Sequence, residues 1–381
     1  MIFKDIIGQE EVKHRLIHSV KENRVSHAQL FLGVEGNGAL PLAMAYTQYI
    51  LCKTRSGEDS CGVCSSCTKS NKLIHPDIHF VYPVALSKEV RVSAGVAAEW
   101  REAFLENPYL NLSDWFSYLS AENKQPVIGV EESGEILRKL SLTTYEGEFK
   151  VMIVWLPEKM NMQAANKLLK ILEEPPDKTI FILVSENEEA LIRTIVSRTQ
   201  LIKINRISDE EIKNALIEKH KLSLNDAVRI AYLADGNYNA ALKLISEKQE
   251  DNFYLHRFRE WMRMCFRGDI VGMVSWVEEI ANAKVGREKQ KEFLSYGLNI
   301  IRECLVGLYG DKKLLRVDGE ELDFVQKFST KLDGNICQQL SDEFNEAILH
   351  IERNGSGKII FTDLSLKCMR IVRQTSFETE K

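Results

Sequence analysis

Five short apolar runs in the first 205 residues, AQLFL (28–32), DIHFVYPV (77–84), KVMIVWL (150–156), TIFILV (179–184) and QLIKI (200–204), alternate with stretches of helical period. Strands that alternate with helices argue for a parallel sheet covered by helices on both faces, because a parallel pair needs a long crossover and a helix supplies one. The fold class expected is therefore α/β for this half, which ends near Asn205. A first amphipathic helix is expected where Ile6, Ile7, Val12, Leu16 and Val20 recur at helical spacing.

From Ser208 the strand signals cease. Ser208 with Glu211 three residues on is a capping-box start, and residues 223–247 spell two short helices broken at DGN, 235–237. The charged stretch SEKQEDN (246–252) links onward to helix-period segments such as FYLHRFREWMRMCFRG and EFLSYGLNIIRECLVGLY. Three domains are expected: 1–205, a small helical domain over 206–249, and an all-helical domain over 250–381. One stretch fits the sheet less well. About 40 residues, 85–125, separate DIHFVYPV from PVIGVEES and include the aromatic-rich EWREAFLENPYLNLSDWFSYLS with a helix of its own. Loops that long carry structure or function, so this is either a packed insertion or a contact surface.

Composition is that of an ordinary globular chain, 44% hydrophobic and 28% charged. With Lys+Arg 50 against Asp+Glu 55 the net charge is −5, so no global field draws the chain to DNA or an anionic membrane, and any nucleic-acid contact must be local. The start lacks the basic and apolar regions of a secretory leader, and no run of about 18 apolar residues follows, so a cytoplasmic protein without membrane spans is expected.

GVEGNGALPLA, 33–43, sits where a phosphate-binding loop belongs, between an apolar strand and a helix. The pattern G-x-x-x-x-G-K-[ST] needs an ammonium for the β/γ-phosphates and a hydroxyl for Mg²⁺ after its last glycine. Here Gly33, Gly36 and Gly38 are present but the two working positions are Ala39 and Leu40, so no ATP is expected to bind. The second nucleotide motif fails as well. The tip of KVMIVWL should present an Asp and then a Glu, and it presents Trp155 and Leu156. Glu158 lies past the strand end, either a surrogate base or a solvated charge at the start of a helix. An active ATPase on its own is not expected.

Four cysteines are scattered (Cys265, Cys304, Cys337, Cys368) and four are bunched as Cys52-x8-Cys61-x2-Cys64-x2-Cys67. Zinc favours a tetrahedron of thiolates, and a closed shell of four sulfurs leaves no site for water, so a structural zinc is expected rather than a catalytic one. His75 and His79 fall beyond the cluster. DNA binding by this module is disfavoured because no long helix is available to enter a groove.

In NMQAANKLLKILEEPPDKTIFILVSENEEALIRTIVSRTQ, Ala164, Leu168 and Leu172 mark one helical face that Pro175-Pro176 ends, and Ser197-Arg198-Thr199 precedes the last strand. From its type alone, Arg198 is either a surface or capping residue or a guanidinium offered to something outside the domain.

Residues 161–183 followed by IVSRTQ resemble the clamp-loader branch of the AAA+ ATPases, and IIGQEEV, HAQLFLG, the four bunched cysteines and HPD at 75–77 extend the resemblance over the first 205 residues. Its two broken motifs match a subunit of the bacterial DNA polymerase III clamp loader that does not itself hydrolyse ATP. The resemblance implies a RecA-like AAA+ domain with a zinc module (52–67), a helical lid and a helical collar. It further implies that Arg198 is an arginine finger reaching the ATP of an adjacent subunit, where a trans arginine is worth roughly 10³ to 10⁵ in rate. Implied partners are the ATP-binding gamma/tau subunits, the delta subunit, the sliding clamp and primer-template DNA. Two positions depart from the family pattern: Thr199 replaces a cysteine, and Asn239 stands where the lid carries a second-sensor arginine. An ATPase with an unorthodox phosphate loop and a zinc-dependent DNA-binding adaptor are the alternative readings.

Overall fold

The computed structural model describes residues 1–246, 253–281, 286–311, 314–317 and 319–374. The expected link SEKQEDN, Ser246 apart, lies outside the described residues. The chain forms two compact units, Met1–Ala121 with Gln125–Ser246, and Glu122–Lys124 with Glu247–Lys381.

The first unit runs α1 (Glu10–Lys21), β1 (Ala28–Leu32), α2 (Ala39–Leu51), α3 (Ser65–Asn71), β2 (Ile78–Val81), β3 (Val84–Ala85), α4 (Ala97–Glu106), α5 (Leu112–Tyr118), β4 (Pro126–Val127), α6 (Val130–Ser141), β5 (Lys150–Trp155), α7 (Met162–Glu173), β6 (Thr179–Ser185), α8 (Arg193–Val196) and β7 (Gln200–Lys203), then α9 (Asp209–His220), α10 (Leu224–Ala234) and α11 (Tyr238–Ser246). Its main sheet has the order β2-β5-β6-β1-β7, and every pairing is parallel. Each neighbouring pair is joined through helices, as a parallel sheet requires.

Alternation along the strands divides the core. Val151, Ile153 and Trp155 of β5 and Ile180, Ile182 and Val184 of β6 pack on one face with α1 and α2. Met152, Val154, Phe181 and Leu183 point to the other face, against α6 and α7. The inner strands β5 and β6 are buried along their whole length, which is why they read in the sequence as unbroken apolar runs. DIHFVYPV is not one strand. β2 stops at Val81, and beyond Pro83, which has no amide to donate, Val84–Ala85 pairs antiparallel with β4 in a separate two-stranded sheet.

Residues 85–125 hold two helices, α4 and α5, where the sequence suggested one, and they drive Trp100, Phe104, Trp115 and Phe116 into the first core. Ser208 caps α9 by accepting the Glu211 amide, and Glu211 returns the bond to the Ser208 amide. α9, α10 and α11 bury a core of their own around Ile212, Leu216, Ile230 and Ala231.

The second unit consists, among the described residues, of α12 (Phe253–Arg267), α13 (Ile270–Ile280), α14 (Arg287–Tyr309), α15 (Gly319–Ser329), α16 (Gly334–Glu352) and α17 (Gly357–Gln374). Its core is aromatic, with Trp261 and Trp276 stacked at 4.8 Å. Cys265, Cys304, Cys337 and Cys368 are buried in that core as free thiols, filling space as small apolar groups. No helix among the described residues is long and apolar enough to cross a membrane.

Candidate functional site

The glycine loop lies between the end of β1 and the start of α2. Gly36 and Gly38 have φ of +70° and +89°, a region where an L side chain is strained, and Gly38 caps α2. The interior is taken by the chain's own groups. Asn37 donates from Nδ2 to the Ile204 carbonyl at 2.9 Å, and its Oδ1 accepts the Ala39 amide at 3.1 Å, an amide at the start of α2 that a phosphate would need. Ala39 and Leu40, in the places of the ammonium and hydroxyl, are buried in the apolar core.

Residues of the insertion close the mouth. The Tyr109 ring lies against Gly38, so that a Cβ there would meet it at 3.0 Å. Its hydroxyl accepts the Ile7 amide at 3.0 Å, and its ring meets Tyr238 of α11 edge-on at 4.9 Å. Asn111 and Asn237 both donate to Glu35 Oε1, at 3.0 and 3.1 Å. Asn239 is buried, accepts from Asn107 at 2.7 Å and donates to Asp114 at 2.6 Å. The space left beside the loop is about 20 Å³. That is room for about one water, which needs roughly 10–15 Å³.

The second motif is filled from the same segment. Trp155, at the strand tip, packs its ring 5.1 Å from Trp100 of α4, which stacks on Tyr82 at 4.1 Å. Glu158 corrects the expectation of a solvated charge. Its Oε1 accepts the Glu186 amide at 2.9 Å, while its Oε2 is buried with no hydrogen-bond partner. Burial pushes this carboxyl above its ordinary 4.5, and the Glu186 amide offsets that only in part. An acid whose proton affinity rises on folding contributes stability at low pH and loses it as pH climbs from 4.5 through the elevated value. Glu158→Gln, which removes the buried charge, is expected to raise stability at pH 7 by up to about 1 kcal/mol and to flatten that decline. Urea unfolding at pH 5 and pH 8 checks it; a variant as pH-dependent as the parent would contradict the assignment.

The four bunched cysteines converge. Cys52 caps the C-terminus of α2, Cys64 caps the N-terminus of α3, and Cys67 lies in the first turn of α3. Their sulfurs all lie within 4.8 Å of one another, and Cys61 Sγ is 3.9 Å from Cys67 Sγ. Zn–S bonds of about 2.3 Å in a tetrahedron put sulfurs about 3.8 Å apart, so the set fits zinc. Backbone amides of Cys61 and Cys64 donate to the sulfurs of Cys52 and Cys61, both at 3.3 Å, which favours thiolates. The Thr54 hydroxyl, with backbone amides, pulls the Cys61 thiol down to about 6, whereas burial pushes Cys67 up. His75 is no ligand. One ring nitrogen lies 3.0 Å from Ser66 Oγ and the other accepts the Asp77 amide at 3.1 Å.

Arg198 sits between α8 and β7 on a stitched backbone: its amide donates to Ile195 O at 3.1 Å, and the Thr199 hydroxyl bonds Ile195 O. Its side chain is about one-third exposed, pairs with Glu173 and donates to Thr194 O at 3.2 Å.

The family described as "DNA polymerase III, delta subunit" matches residues 8–208. The chain belongs to this family. Residues 8–208 of this DNA polymerase III delta-subunit family member take in the glycine loop, the cysteines and Arg198, and end at the cap of α9. Among curated relatives, the DNA polymerase III subunit delta' of Bacillus subtilis is 28% identical over 212 residues, 55% of this chain and 52% of that protein. The delta' subunit of Yersinia pestis is 32% identical over 198 residues, 51% of this chain and 44% of the relative. The tau subunit of Bacillus subtilis is 26% identical over 250 residues, 64% of this chain and 37% of the relative. The family member thus spans about half the length, or less, of the curated relatives it matches. Its resemblance to the clamp-loader branch holds, with delta' among the relatives.

Tyr109 is the residue that sequence reasoning missed. Its signal was available: an aromatic-rich insertion in a chain with two vacated nucleotide positions that some other side chains had to fill.

Proposed function

We propose that the chain serves as a delta'-type, non-hydrolysing subunit of the DNA polymerase III clamp loader, helping to load the sliding clamp onto primed DNA. It would lend Arg198 in trans to the ATP held by a neighbouring subunit of the gamma/tau kind, with the delta subunit, the clamp and primer-template DNA as further partners in the cytoplasm. In this reading residues 1–205 are the AAA+ domain, 206–249 the lid and 250–381 the collar through which subunits assemble. Cys52, Cys61, Cys64 and Cys67 hold a structural zinc, whose four thiolates leave it no open position for chemistry.

One observation carries the reading. The chain's own side chains fill the nucleotide cradle, leaving about 20 Å³. A chain so built keeps the AAA+ frame and a guanidinium at the edge of the sheet while holding no triphosphate itself. Calorimetric titration of the folded single chain with Mg-ATP up to about 1 mM tests it, since Kd values tighter than that correspond to at least about 4.1 kcal/mol of binding and would be seen. No heat is expected. Saturable binding would overturn the non-hydrolysing reading in favour of an ATPase with an unorthodox loop.

A further inference from the structure

We propose that Glu173, the last residue of α7, is a positioning residue for Arg198, a role that rests on the finger reading above. Pro175-Pro176, one residue beyond Glu173, ends α7, because proline lacks the amide that another turn would use and disfavours helical backbone in the residue before it, here the cap Glu174. The carboxylate is thereby left at the helix end, where it meets the guanidinium across the gap to α8.

The arrangement constrains Arg198 at three levels. Its own amide and those of Ser197 and Thr199 bond back to carbonyls of Ile195, Arg193 and Val196. The Ser197 hydroxyl donates to Thr194 O at 3.2 Å. Then Nη1 takes Thr194 O and Nη2 takes Glu173. Two of the five N–H donors of a guanidinium suffice for these contacts, so a face of the planar fork is left for a phosphate. Both partners are partly exposed, and an exposed pair shifts an equilibrium by a factor of only a few. Glu173 therefore restricts the rotamers of a long side chain without trapping it: a polyphosphate of higher charge can take the guanidinium over.

The test uses the complex reconstituted with its ATP-binding subunits, clamp and primed DNA, and four chains: the parent, E173A, R198A and the double variant. E173Q, which keeps an acceptor oxygen at the same place, is the conservative control. E173A is expected to lower kcat about two- to fivefold, the factor an exposed pair can supply, with KM for ATP and assembly unchanged. E173Q is expected to recover most of the loss. In the R198A background E173A is expected to cost nothing further, since its effect passes through the arginine. A kcat unchanged or raised in E173A, or an E173A loss that persists without Arg198, overturns the positioning role alone. Unchanged hydrolysis in R198A overturns the finger reading itself and the role of Glu173 with it.

Discussion

Arg198→Ala is expected to leave the chain folded and competent to assemble while the rate of ATP hydrolysis at the neighbouring site falls by about 10³ or more. The stability side of this expectation follows from what Arg198 touches. It contributes one exposed ion pair and one bond to a carbonyl, and an exposed pair is worth about 0.2–1 kcal/mol. Its backbone is fixed by bonds that an alanine keeps. The rate side follows from the charge that a transferring phosphoryl spreads over its oxygens, which a guanidinium supplied from outside the ATP-binding subunit stabilises in the transition state more than in the ground state. Arg198→Lys separates charge from shape: a point charge cannot reproduce the planar fork, so most of the loss is expected to remain. Single-turnover hydrolysis by the reconstituted complex, with melting of the isolated chain as control, checks both sides. Unchanged hydrolysis in Arg198→Ala would remove the finger assignment.

How much of this could be read from the sequence depended on whether the relevant signal was local. β5 and β6 were legible because both their faces are covered, which leaves an unbroken apolar run bounded by charged residues. The start of α9 was legible because its cap is a four-residue pattern. DIHFVYPV misled because the split at Pro83 depends on which distant strand offers hydrogen bonds, and β4 lies more than forty residues on. Glu158 misled for a related reason. A glutamate beside a lysine looks solvated, and only the approach of the Glu186 backbone shows that its carboxyl is enclosed. The largest shortfall was residues 85–125. Their aromatics announced burial, but the partners of Trp100 and Tyr109 are Trp155 and the glycine loop, and no spacing rule connects them. The two departures from the nucleotide motifs and the insertion, separate features in the sequence, pack together in the fold.

Metal removal is expected to have the second large effect, and to reach beyond the cysteines. Cys61→Ser takes one sulfur from a partly exposed corner of the module and leaves the buried Cys52 and Cys67 in place, so it should abolish stoichiometric zinc without excavating the core. A metal present at a thousandfold its Kd stabilises the folded state by about 4.1 kcal/mol, which sets the scale of the loss. The metal-free thiols then favour different protonation states, Cys61 pulled down to about 6 and Cys67 pushed up by burial, so zinc must displace protons and its affinity should weaken as pH falls. The disturbance has a path outward. Asp59, in the loop between Cys52 and Cys61, accepts the amides of Phe3 and Lys4, both at 3.0 Å, and Phe3 is buried with its ring 5.6 Å from that of Tyr49. The segment held there leads to Ile7, whose amide is bound by the Tyr109 hydroxyl that closes the glycine loop. Loosening the cysteine loop should therefore speed hydrogen exchange first at the amides of Phe3 and Lys4 and then at Ile7, while Val151 to Val154 in the inner strand β5 stay protected. Metal content by elemental analysis, melting temperature and exchange at these amides decide the matter together. Complete metal loss with unchanged melting and unchanged exchange would mean that the four cysteines do not serve the fold, whereas exchange that rises as far as Ile7 would tie the cysteine module to the packing of Tyr109 on the glycine loop.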